Sequence, residues 1–90
     1  MNAKIHIHLT LRRFTNGEQA VEVEGKTVGE CVGNLIRKHP DIESSLLDKR
    51  GHLLNIIEVY VNGESAYPDE LAKPIKDGDN IHLTLMLAGG

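Results

Sequence analysis

"KIHIHLTLR", residues 4–12, alternates without a break. Ile5, Ile7, Leu9 and Leu11 fall on one side and His6, His8, Thr10 and Arg12 on the other, the period of two that marks a strand with one buried face. The pattern returns near the end of the chain in "NIHLTLML", residues 80–87. There Ile81, Leu83, Leu85 and Leu87 are expected inward, and His82, Thr84 and Met86 outward. These are the most apolar alternating stretches of the sequence, so they are expected to lie side by side in the middle of a sheet.

The segments between them supply the rest of an α+β domain. "TNGE" carries Asn16-Gly17, a dipeptide that tolerates positive φ, and "QAVEVE" alternates again with Val21 and Val23 inward; a hairpin is expected. Thr27 followed by Glu30 is the spacing of a capping box. Val28, Cys31, Val32, Leu35 and Ile36 then form one apolar stripe at helical spacing, and Pro40 closes the helix near Lys38. "SSLLD" is read as a short turn. "NIIEVYVNGE" predicts a strand with Ile57, Val59 and Val61 inward, a second Asn-Gly turn at Asn62-Gly63, and a short strand over 65–67. The turn-rich "PDELAKPIKDGDN" leads into the last strand through Asp77-Gly78-Asp79. A mixed sheet of four to five strands crossed by one helix on one face follows, as a single domain over residues 1–90 with a flexible tail at about 87–90.

Composition narrows the function. Ninety residues can bury roughly 60 to 68% of the unfolded surface, enough for one core. Ten Lys and Arg against 13 Asp and Glu give a formal charge of -3, without the basic patch that nucleic acid requires. The single Cys31 cannot form an internal disulfide, and the opening "MNAKIHIHLT" resembles neither a signal peptide nor a membrane span. A cytoplasmic protein without nucleic-acid or membrane partners is expected.

No constellation of side chains reads as a self-sufficient active site. "EGKT" at 24–27 lacks the upstream glycine of a phosphate loop, since that position holds Ala20, so Lys26 and Thr27 are read as a loop end and a helix cap. Cys31 sits on the apolar stripe of the helix and is read as core. His6, His8 and His82 could approach one another across paired strands, but a docking face is favoured over a metal site. Glu22, Glu24 and Glu58 are outward residues whose charge suits a partner surface better than acid–base chemistry. Met86, Tyr60 and Ile56 add an apolar component to that surface.

The remaining reactive group is the end of the chain. Leu87, Ala88, Gly89 and Gly90 span roughly 13 Å when extended, and two residues without Cβ atoms can thread a narrow channel. A carboxylate is a poor electrophile and requires activation, most simply as an acyl-adenylate made by a partner with ATP and Mg²⁺. A sulfur nucleophile can then displace AMP and leave a thiocarboxylate on Gly90, which can pass its sulfur onward.

With "LRRFTNGE", "GKTVGECVGNL", "IEVYVNGE", "KPIKDGDNIHL" and the terminal "LAGG", the chain resembles the MoaD/ThiS family of ubiquitin-like sulfur carriers over nearly its whole length. The resemblance implies a β-grasp fold and no cofactor bound by the chain itself. It also implies activation by a ubiquitin-activating-type adenylyltransferase and delivery to a sulfur-accepting synthase. Gly90 would be the reactive residue, with Gly89, Ala88, Leu87, Met86, Tyr60, Glu58 and His82 expected to bind partners. Met86 and Leu87 depart from a proline-containing approach to the diglycine common in the family. The long stretch "HPDIESSLLDKRGHLLN" (39–55) looks more like molybdopterin-synthase small subunits or carriers for cysteine and homocysteine synthesis than like the shortest thiazole-pathway carriers. A protein modifier joined to lysines through Gly90 and an inert interaction module are the alternatives.

Overall fold

The computed structural model describes residues 1–86. Strand β1 (Asn2–Ile7) is followed by β2 (Ala20–Glu24), helix α1 (Val28–Lys38), a short helix α2 (Glu43–Leu46), β3 (Ile57–Val61), β4 (Glu64–Ser65) and β5 (Asn80–Leu85). The five strands form one sheet in the order β2-β1-β5-β3-β4. β1 and β5 run parallel at its centre and the other pairs are antiparallel. This is the β-grasp arrangement, with the two most apolar strands adjacent as their pattern and the family resemblance together lead one to expect.

The inward faces of β1, β5 and β3 supply Ile5, Ile7, Ile81, Leu83, Val59 and Val61 to the core, against Val28, Cys31, Val32 and Leu35 of α1. The helix begins as a capped unit: the Glu30 N–H donates to Thr27 Oγ1 at 3.1 Å, while the Lys26 N–H donates to Glu30 Oε1 at 2.9 Å. The reciprocal bond therefore lands one residue before the cap, satisfying the loop N–H that precedes the helix. Ile42 and Leu46, from the short helical turns after Pro40, are fully buried, so residues 40–46 close one end of the core where a simple turn is predicted.

The first strand is shorter than the nine-residue alternation suggests. It stops at Ile7, and Leu9–Thr15 wind into a 3₁₀ helix that exposes Leu9 and buries Leu11. Locally competing bonds cause the change. The Thr10 N–H donates to His8 Nδ1 at 3.2 Å, and Arg12 Nε donates to the Ile7 carbonyl at 3.1 Å, capping the strand end. Asn16 (φ 56°) and Gly17 (φ 82°) reverse the chain after this helix rather than forming a tight hairpin. β1 and β2 still pair, from Asn2↔Glu24 to His6↔Ala20.

Asn62 (φ 52°) and Gly63 (φ 85°) form the left-handed tight turn expected between β3 and β4. β4 occupies Glu64–Ser65, one residue earlier than the predicted short strand over 65–67, because this turn fixes Val61↔Glu64 as the first pair. Asp79 ties that hairpin to the start of β5: its carboxylate accepts from the Lys76 N–H and Asn62 Nδ2, and Asn62 Oδ1 accepts from the Asn80 N–H. The backbone bond first, then the Asn62 side chain, hold the Asp79 carboxyl below its ordinary value.

Two substitutions test this frame. Thr27→Ala removes the cap and should cost about 1 kcal/mol, whereas Leu35→Ala opens a cavity under the sheet and should cost about 2–5 kcal/mol. Urea unfolding followed by circular dichroism measures both, and equal losses would contradict the assigned roles.

Candidate functional site

The face of the sheet opposite α1 is built by alternation, and the register lines up its side chains in rows. Tyr60 lies opposite His82, His82 opposite His6, and His6 opposite Ala20. The His6 and His82 rings stack face to face, with centroids 4.2 Å apart and planes 3° from parallel. His6 Nε2–H donates to Asn80 Oδ1 at 2.9 Å, which fixes the orientation of its ring. Desolvation, and secondarily the facing His6, push the His82 pKa below its ordinary 6.5.

His8 leaves this face with the early end of β1. Its Nδ1 is occupied by the backbone N–H and hydroxyl of Thr10, so the three histidines suggested by the alternation are reduced to a stacked pair. Among the described residues, no group of three or more His, Cys, Asp or Glu side chains is arranged to hold a metal ion. Cys31 is fully buried, and burial, then the Glu30 carboxylate, push its thiol pKa up, which keeps it protonated and inert.

The acidic residues do not converge. Glu22 and Glu24 lie on β2 at one side of the sheet, while Glu58 is on β3, with β1 and β5 between them. Strand order, invisible to the alternation that put all three on one face, separates them. Glu58 is instead directly across from Thr84 and near the exit of β5. At that exit the Met86 N–H donates to the Ile56 carbonyl at 2.6 Å, and both side chains are exposed. Tyr60, Glu58, His82 and Met86 are thus carried by two adjacent strands, β3 and β5, and by the residue leaving β5. Leu87, Ala88, Gly89 and Gly90 lie outside the described residues, as does the expected inward placement of Leu87.

A groove of about 470 Å³ opens beside Met86. Leu53, Leu54, Tyr67, Pro68 and Met86 give it apolar walls, and Glu58 and Glu70 line it with carboxylates. Apart from Glu58 and Met86, these residues escape sequence reasoning because they belong to irregular segments without periodicity. Only the Asn62-Gly63 turn, which brings 64–67 back along β3, signals that Tyr67 comes close.

The stacked imidazoles generate a pH dependence. A histidine whose pKa is lowered by folding contributes stability above its unfolded value near 6.5 and loses it as pH falls through the lower folded value. The urea midpoint should therefore drop on acidification below about pH 6.5 less steeply in His82→Asn than in the parent chain. NMR titration of His6→Ala should show the His82 pKa moving up toward 6.5.

The geometry has close counterparts. One chain of the Amycolatopsis orientalis BexX/CysO complex superposes with a TM-score of 0.88 at 34% identity, over 98% of this chain and 99% of that one. Mycobacterium tuberculosis CysO gives 0.86 at 28% identity over 94% and 99%, and SAMP1 from Haloferax volcanii 0.86 at 28% over the full length of both chains. A search of curated protein sequences returns no match. The model of the ThiS family matches residues 5–90. Together with the five-stranded mixed sheet, these matches place the chain in the ThiS family of ubiquitin-like β-grasp proteins, small sulfur carriers or modifiers.

Proposed function

We propose that this chain is a sulfur carrier whose reactive group is the carboxyl of Gly90. A partner of the ubiquitin-activating type joins that carboxyl to AMP at the expense of ATP with Mg²⁺, releasing pyrophosphate. A sulfide-level nucleophile (hydrosulfide) then attacks the acyl carbon and expels AMP, which leaves Gly90 as a thiocarboxylate without any change of oxidation state. The thiocarboxylate sulfur attacks the electrophile of an acceptor synthase, and hydrolysis regenerates the carboxylate.

The observation that carries this reading is a family match running through the diglycine to Gly90. The protein's own contribution is then presentation. β5 delivers the chain at Met86, Tyr60 and His82 offer the activating partner a rigid half-apolar surface, and Gly89 and Ala88 add little bulk in a narrow channel. Likeness to a chain crystallised in the BexX/CysO complex supports a partner protein as acceptor, and the CysO matches favour cysteine or homocysteine synthesis over molybdopterin.

The likeness to Haloferax volcanii SAMP1, a small archaeal modifier protein, supports a second use of the same acyl-adenylate, attachment through Gly90 to lysines of other proteins. Intact mass spectrometry of protein from its native cell separates the two. The carrier shows a mass gain equal to oxygen replaced by sulfur; the modifier shows lysine-linked adducts.

Deletion of Gly90 should abolish both adenylation and thiocarboxylation while leaving the urea midpoint unchanged, and persistence of sulfur transfer in that variant would refute the proposal. Tyr60→Ala should lower kcat/KM for adenylation by about tenfold or more, with the tail intact, if the sheet face docks the activating enzyme.

A further inference from the structure

The two outer edges of the sheet are treated differently. Along β2, α1 covers the edge: Asn34 Nδ2 donates to the Glu24 carbonyl at 2.7 Å and Lys38 Nζ to the Glu22 carbonyl at 2.6 Å. On the opposite side β4 is only two residues long and leaves the start of β3 without a paired strand. Bare edges invite another chain to pair, and proteins commonly shorten, charge or cover them.

The hydrogen bonds show which groups of β3 point to that side. The Asn62 N–H donates to the Asn80 carbonyl and the Ile56 carbonyl accepts from Met86, so even-numbered residues bond to β5 and odd-numbered ones face outward. Of the outward groups, the Val59 carbonyl accepts from the Ala66 N–H and the Ile57 N–H donates to the Leu54 carbonyl. Within the described residues, the Ile57 carbonyl and the Val59 N–H have no such partner, and both residues line the groove beside Met86.

An antiparallel guest can bond the free Ile57 carbonyl and Val59 N–H through the two guest residues that flank the one opposite Glu58. A parallel guest bonds the same C=O and the N–H two residues further on through a single guest residue. The Ile57 carbonyl and Val59 N–H have that spacing, and the guest residue between them lies opposite Glu58. Its side chain emerges on the same face as Glu58, about 4.8 Å away across the strands.

Glu58 and Glu70 line the groove, and among the described residues no lysine or arginine does. We propose that the unpaired edge of β3 binds an extended segment of a partner protein as an added strand, with a basic residue opposite Glu58 and apolar neighbours in the groove walled by Leu53, Leu54, Tyr67 and Pro68. Backbone bonds fix the register, and the carboxylates select charge. This docking edge goes beyond the Gly90 chemistry and does not depend on it.

The test is amide-resolved NMR of the full chain titrated with the peptide acetyl-Thr-Val-Lys-Val-Thr-amide and with its twin carrying Glu in place of Lys. The Lys peptide should shift the Val59 amide saturably and slow its exchange with solvent. The Glu peptide should bind about tenfold more weakly or worse, Glu58→Lys should invert that preference, and Glu70→Gln should weaken the Lys peptide. Retained chemical-shift dispersion verifies that the variants fold. No saturable shift at Val59 up to millimolar peptide, equal binding of the two peptides, or shifts centred on β2 or His82 would overturn the inference. Deletion of Gly90 should leave peptide binding intact while removing thiocarboxylation, so the two proposals fail separately; loss of peptide binding in that variant would overturn this one.

Discussion

The parallel pairing of β1 with β5 is the interaction on which the rest of the molecule depends. It joins segments more than seventy residues apart, with His6 and Asn80 separated by 74 positions yet hydrogen-bonded. Bringing such distant strands together costs loop-closure entropy before any contact repays it. The repayment is apolar: Ile5 and Ile81, directly opposite in the ladder, are both fully buried beneath a helix whose Val28 and Leu35 are equally inaccessible. Turn bonds secure the seam, with the Lys4 N–H donating to the Asp79 carbonyl and the Gly78 N–H to the Asn2 carbonyl.

That seam also arranges the outward surface. With Ile5 opposite Ile81, the next residues, His6 and His82, must stand opposite each other on the solvent face. Their stacking follows from the register. The same pairing puts β5 between β1 and β3, so Met86 emerges beside Ile56 and next to the groove at the edge of β3. A domain of this kind divides the labour. The sheet and helix provide a rigid frame with a buried, unreactive cysteine, and the proposed chemistry is left to the residues beyond the frame.

The two edges give that frame a direction. Helical side chains occupy the carbonyls of β2, while the brief β4 leaves one carbonyl and one N–H of β3 pointing into an acidic, apolar-walled groove. The residues proposed to meet partners therefore gather on the β3–β5 side: Tyr60 and His82 on the sheet face, and Glu58 and Met86 at the groove.

From the sequence alone come the elements whose signals are local. Period-two alternation located β1, β2, β3 and β5, Thr27 with Glu30 located the start of α1, and Asn62-Gly63 located the β3–β4 turn, because side-chain direction, capping and positive φ are settled by neighbours a few residues apart. The β1–β5 adjacency was legible from the apolar pattern of the two strands taken together with the family resemblance. Tertiary structure set the rest. Alternation continues past Ile7, yet β1 ends there, because Arg12 and His8 offer the backbone better local bonds than a ladder beyond Leu83. Glu22 and Glu58 share a face in sequence but are held apart by strand order. The groove at β3 is assembled from irregular segments that no periodicity marks, so it exists only once long-range pairing has brought residues 53–54, 67–70 and Met86 to one place.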